Sequence, residues 1–128
     1  MSDQHGTIHW NELNTRDPKG AISYYSKMCG WEFDTMPMPD GGDYHVAKKG
    51  DAMIAGIFDI AAMPELAKVP PHWFMYIAVE DVDAAAKETA AGGGKVIREP
   101  WDVPGVGRIA ILQDPTGAAV GWMTPSEG

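Results

Sequence analysis

The sequence predicts an α+β protein made of two tandem β-α-β-β-β units, and three observations carry that reading. Slid against itself by 64 positions, the chain aligns Asp17 with Asp81, Ala21 with Ala85, Gly30 with Gly94 and Gly41 with Gly105. Strand-like and helix-like runs recur in the same order in both halves. The 128 residues, 45% of them hydrophobic, are enough for one packed domain. Unit one is expected at about 7–60, a proline-bounded linker at about 61–71, and unit two at about 72–125.

Each unit opens with a strand, Thr7 to Asn14 and Trp73 to Val79. An acidic helix start follows at Asp17-Pro18 and at Asp81-Val82-Asp83. Aspartate caps a helix because its carboxylate accepts the free amides of the first turn, and proline loses no hydrogen bond at the first helical position. Ile22, Tyr25 and Cys29 make one apolar stripe in the first helix, so Cys29 is expected in the core. Val82, Ala85, Ala86 and Ala90 do the same in the second. Gly30 and Gly92-Gly93-Gly94 stop the helices, since glycine tolerates the left-handed terminal conformation.

Three more strands fit in each half: Trp31–Met36, Asp43–Lys48 and Ala52–Phe58, then Lys95–Glu99, Arg108–Gln113 and Ala118–Met123. Turn residues separate them at Pro39-Asp40-Gly41-Gly42, Lys49-Gly50-Asp51, Pro104-Gly105 and Asp114-Pro115-Thr116-Gly117. Phe74, Tyr76 and Ala78 alternate with Met75, Ile77 and Val79, so both faces of that strand are expected to be covered. Pairing two such units predicts a curved half-barrel sheet with helices outside and an apolar cavity inside.

Ten basic residues against eighteen acidic ones leave a net charge of −8, which argues against a nucleic-acid partner. No apolar run approaches the roughly 18 residues that cross a bilayer. The N-terminal residues lack the basic and apolar regions of a secretory signal. The single cysteine excludes an internal disulfide and a cysteine-based zinc cluster, a pattern that suits a reducing cytoplasm.

The chain resembles the vicinal oxygen chelate superfamily, which contains glyoxalases, bleomycin-resistance proteins and extradiol dioxygenases. The likeness is carried by Trp10-Asn11-Glu12-Leu13 leading to Asp17, and by Ala21-Ile22-Ser23-Tyr24-Tyr25 before Gly30-Trp31. Tyr76-Ile77-Ala78-Val79-Glu80-Asp81-Val82-Asp83, Gly92-Gly93-Gly94-Lys95-Val96 and Gln113-Asp114-Pro115-Thr116-Gly117 continue it, from about Thr7 to Pro125. The resemblance implies a glyoxalase-like fold and a divalent metal held by His, Glu or Gln on the first and last strands of each unit. Carried over, those positions fall on Trp10, Gly56, Phe74 and Gly121, and none of these side chains coordinates a metal. No metal and no other cofactor is therefore expected. The resemblance also implies a homodimer, with Met36, Met38 and Met63 as candidate interface residues.

The cavity is expected to be lined by Trp10, Asn14, Ile54, Phe74, Tyr76 and Met123, with Arg108 poised to clamp a substrate carboxylate. Glu12 shares its strand face with Trp10 and Asn14 and is the candidate general base. Tyr76 stands 64 positions after Glu12 and is expected to face it. The histidines His5, His9, His45 and His72 show no metal-ligand spacing.

The leading expectation is thus a metal-independent protein, binder or enzyme, that holds a small organic molecule in the concave cavity. The alternatives are a metal-dependent lyase or isomerase of the glyoxalase type, using a displaced site around Glu12, His72 or His45, and a non-catalytic dimeric interaction module.

Overall fold

A computed structural model describes residues 4–38, 42–62, 68–103 and 106–126. The interface candidate Met63, the aligned pair Gly41 and Gly105, and the turn residues Pro39, Asp40 and Pro104 lie outside the described residues. Strands β1 (Ile8–Thr15), β2 (Glu32–Pro37), β3 (Asp43–Lys49) and β4 (Ala52–Asp59) accompany helix α1 (Pro18–Cys29), followed by a 3-10 turn at Ile60–Ala62. Strands β5 (His72–Ala78), β6 (Lys95–Val103), β7 (Gly107–Gln113) and β8 (Ala119–Pro125) accompany helix α2 (Val82–Ala91). The β-α-β-β-β order therefore occurs twice. The chain divides into two compact units, Trp10–Phe74 and Met1–His9 with Met75–Gly128.

In the Trp10–Phe74 unit the strand order is β2-β3-β4-β1. β1 runs parallel to β4, while β2, β3 and β4 pair antiparallel. Asp17 caps α1 by accepting the Gly20 amide, Pro18 opens the helix, and Gly30 closes it with φ of 70°. Leu13, Ala47, Ala55 and Ile57 form a buried layer on one face of the sheet, because alternate residues of each strand point the same way.

The apolar stripe of α1 is not buried as expected. No residue of α1 is buried, and Cys29 is exposed rather than in the core. Ala21, Ile22 and Tyr25 are half-buried, and Tyr25 stacks on Trp31 at 5.4 Å and meets Trp73 edge-on at 5.6 Å.

In the second unit the strand order is β5-β8-β7-β6, with β5 parallel to β8 and the other pairs antiparallel. Asp81 caps α2 by accepting the amides of Asp83 and Ala84. Val82 and Ala86 enter a core with Val79, Ala110 and Leu112, against which Ala85, Val96 and Trp122 also pack.

Two expectations change here. β6 does not stop at Glu99 but continues through Pro100 to Val103. β6 pairs only with β7 within its unit, and register shifts at Val96/Arg98 and Arg98/Trp101 absorb the proline, which cannot donate to a ladder. The second change concerns β5, which is not covered on both faces: Trp73 is 43% exposed and Met75 39%. α2 packs on β6, β7 and β8. Among the described residues, no helix is long and apolar enough to cross a membrane.

Candidate functional site

Strand alternation places Trp10, Glu12 and Asn14 on one face of β1, and register sets Glu12 directly opposite Gly56 of β4. Tyr44 comes from β3, where Val46 pairs with Gly56, so its ring reaches over the glycine on the same face. A methyl group at Gly56 would run into the Tyr44 hydroxyl, which explains glycine in the middle of the apolar run Ala52–Phe58. That hydroxyl donates to Glu12 Oε2 at 2.8 Å and accepts the Trp10 indole Nε1–H at 2.9 Å. An indole, a phenol and a carboxylate are thus tied in one half-buried hydrogen-bonded chain. A carboxylate fixed in this way presents a hydrogen-bond acceptor in a set orientation beside flat aromatic surface.

In the strand register Glu12 is the partner of Gly56, and Tyr76 is the partner of Gly121. The Tyr76 ring lies over Gly121 and would meet any side chain placed there. Each unit therefore has a glycine on its last strand with a tyrosine covering it. In the first unit the tyrosine crosses from β3; in the second it stands in register on β5.

The other sequence candidates are distributed as follows. Asn14 is buried on the Glu12 face, Ile54 and Phe74 are half-buried, and Met123 is buried beside Gly121 and opposite Ile109. Phe74 meets the His72 ring edge-on at 6.1 Å.

Arg108 is not available as a carboxylate clamp. Its Nε and one terminal nitrogen donate to Asp83 at 2.8 and 3.1 Å, and Asp102 lies 3.2 Å from the other. These acids raise the guanidinium pKa further above its already high value, and the Arg108 hydrogen bond lowers that of Asp83. The fork geometry that suits a substrate carboxylate is satisfied by the protein's own.

Three of the four histidines are also engaged, and separately. His5 accepts the Glu80 amide, His45 bonds Thr35 and His72 bonds the Pro70 carbonyl. His45 alternates away from Tyr44 on β3 and so lies on the face opposite Glu12, which removes it from a displaced metal site there. Among the described residues no group of three or more His, Cys, Asp or Glu is arranged to hold a metal ion.

Two features were not anticipated from sequence. Tyr44 was missed, although a tyrosine two residues before Val46, in a strand facing a glycine-bearing strand, is the available signal. The second feature is a cavity of about 480 Å³ on the helix side of the second unit, bordered by Met75, Ile77, Leu112, Val120 and Trp122. At its rim Asp114 accepts from the Thr116 hydroxyl and from the Thr116 and Ala118 amides, which hold its pKa below the usual carboxylate value.

Comparison with known proteins places these observations in a family. Residues 7–121 match the Glyoxalase/Bleomycin resistance protein/Dioxygenase superfamily. CFP32 of Mycobacterium tuberculosis, provisionally named a glyoxylase, is 42% identical over 126 residues, covering 98% of this chain and 47% of that protein. The anthracycline biosynthesis protein DnrV of Streptomyces peucetius is 28% identical over 124 residues, covering 89% of this chain and 45% of its own length. The chain thus spans about half the length of these curated relatives. Among solved structures, methylmalonyl-CoA epimerase of Mycobacterium tuberculosis aligns with a TM-score of 0.66 at 18% identity, covering 98% of this chain and 93% of the epimerase. A Bacillus halodurans protein, BH1468, aligns at 0.70 and 13% identity, with 96% of each chain covered. These two share the fold. With two β-α-β-β-β units and a family match that runs nearly end to end, the chain belongs to the Glyoxalase/Bleomycin resistance protein/Dioxygenase superfamily.

Proposed function

We propose that this protein binds a small, flat, oxygen-bearing organic molecule on the Trp10–Glu12–Tyr44 face of its first unit, without the divalent metal of its family. The observation that carries the reading is the Trp10–Tyr44–Glu12 hydrogen-bonded chain laid over Gly56. The family's ligand positions on the fourth and eighth strands are Gly56 and Gly121, which supply no donor atom, and tyrosines occupy the space a ligand side chain would need. The residues present do not fit the metal. In its place, Trp10 and Tyr44 would stack on the ligand while the Glu12 carboxylate accepts a hydrogen bond from a ligand hydroxyl. The relative named for anthracycline biosynthesis supports a polycyclic, hydroxylated ligand class.

A second reading is favoured by the glyoxylase name of CFP32: the same carboxylate acts as the general base of a lyase or isomerase, removing a proton next to a carbonyl. Both readings use one site.

The test is a fluorescence titration with an anthracycline aglycone, read through Trp10. Saturable quenching that is lost in Trp10→Phe and weakened at least tenfold in Glu12→Gln supports the assignment. Elemental analysis after exchange against zinc, nickel, iron and manganese should give well below one metal per chain; stoichiometric metal, or quenching indifferent to Glu12 and Trp10, would overturn it.

A further inference from the structure

We propose that the cavity on the helix side of the second unit is a binding site for a small aromatic amine. The cavity measures about 480 Å³, within the range that small organic ligands occupy. Its wall follows from strand register. Leu112 pairs with Val120 and Ile77 with Trp122, and Met75 lies two residues before Ile77, so these five side chains share one face of β5, β7 and β8. Tyr76 and Gly121 alternate to the other face, where the Tyr76 ring covers the glycine. Five apolar side chains, an indole among them, suit a flat ring.

One end of the cavity is polar. Asp114 directly follows β7 and Thr89 stands on α2, and both border the cavity. The backbone draws them to the same end. The Gly94 amide donates to the Thr89 carbonyl at 2.8 Å, and a methyl group on Gly94 would run into both the Thr89 side chain and the Gln113 carbonyl next to Asp114. Three hydrogen bonds reach the Asp114 side chain, from the Thr116 hydroxyl at 2.6 Å and from the amides of Thr116 and Ala118, and all three end on Oδ1. Oδ2 is left to accept from an occupant, and the Thr89 hydroxyl is a second acceptor.

Charge selects the occupant. The bonds to Oδ1 hold the Asp114 carboxyl below its usual pKa, so it is ionised at neutral pH. The lysine and arginine ion pairs among the described residues do not involve it. An ionised carboxylate at the rim of an apolar cavity, on a chain of net charge −8, attracts a cation and repels an acid. An ammonium group carries three donors, enough to serve Oδ2 and the Thr89 hydroxyl together. Trp122 reports on occupancy: its indole N–H is buried with no acceptor among the described residues, so its resonance responds to any change in this wall.

The cavity belongs to the other unit from Trp10, Glu12 and Tyr44, so failure of the aglycone titration leaves this inference standing. The experiment is a nitrogen-edited proton spectrum of the labelled chain, titrated in turn with tryptamine, tryptophol and indoleacetate, which share one ring and differ in charge. The Trp122 indole signal is identified by its loss in Trp122→Phe. The expected result is a saturable shift of that signal with tryptamine, and about tenfold weaker binding of indoleacetate. Asp114→Asn, with an unchanged circular dichroism spectrum, should weaken tryptamine about tenfold, because a charge-assisted hydrogen bond is lost. Trp10→Phe should leave the titration as it is. No saturable shift at Trp122, equal binding of the three compounds, indifference to Asp114→Asn, or loss of the shift in Trp10→Phe would each overturn the proposal.

Discussion

Helix α2 lowers Val82 and Ala86 into a core with Val79, Ala110 and Leu112, whereas α1, at the same point of its own unit, buries no residue. The two helices start alike, each with an aspartate cap, and their hydrophobic spacing is similar. Side-chain size separates them. Alanines let α2 approach its sheet closely, so the valine and two alanines interlock with β7 and β8. In α1 the half-buried positions include the larger Ile22 and Tyr25, and Tyr25 packs against the rings of Trp31 and Trp73. Amphipathic spacing therefore selects which face turns inward, and volume sets how deep that face goes.

The comparison breaks most sharply at the core. Leu112→Ala should cost about 3 kcal/mol in denaturant unfolding, since a fully buried leucine leaves a cavity. Met28→Ala on α1 should change stability by less than about 0.5 kcal/mol, since Met28 is exposed. Equal costs would show that α1 is packed as tightly as α2.

The covered glycines give the next largest effect. Gly56→Ala should destabilise by roughly 1–3 kcal/mol because the new methyl meets the Tyr44 hydroxyl, and much of that loss should return when Tyr44→Ala is added. Gly121→Ala and Tyr76→Ala should couple in the same way in the second unit. Additive costs in either double-mutant cycle would mean that the ring is not what demands the glycine.

Tyr44→Phe should cost about 1 kcal/mol and shift Trp10 emission, because the indole N–H and Glu12 lose a shared partner. Tyr76→Phe should leave Trp10 emission unchanged.

The smallest effect is expected at low pH. Asp114 and Asp83 have lowered pKa values, the first mainly from the Thr116 hydroxyl and the second mainly from Arg108. A carboxylate whose folded pKa is depressed stabilises the fold above its unfolded value, roughly pH 4, and that stability is lost as pH falls through the folded value. The midpoint of thermal unfolding should fall below about pH 4, and Asp114→Ala should flatten part of that fall. Both groups are exposed, so the change is slight.

The caps show how much of this was legible. Asp17, Pro18, Gly30 and Asp81 mark helix ends by chemistry that acts within four residues, and the structure uses each of them as expected. Local alternation likewise put Trp10, Glu12 and Asn14 on one face. Cys29 shows the opposite case: it continues the stripe of Ile22 and Tyr25, yet it is exposed, because spacing on a helix does not say how far along its length the sheet covers it. Pro100 shows another. A proline looks like the end of a strand until it is known that β6 has one partner strand in its unit and that bulges accommodate the missing donor.

The sequence by itself determined the two β-α-β-β-β units and pointed to their family, because periodicity, capping and turn chemistry are properties of neighbouring residues. Only the tertiary structure decided that Tyr44 bridges Trp10 and Glu12 over Gly56, that Arg108 is held by Asp83 and Asp102, and that α1 stays uncovered. Each of these depends on strand register or ring volume between residues tens of positions apart, and such distances carry no local signal.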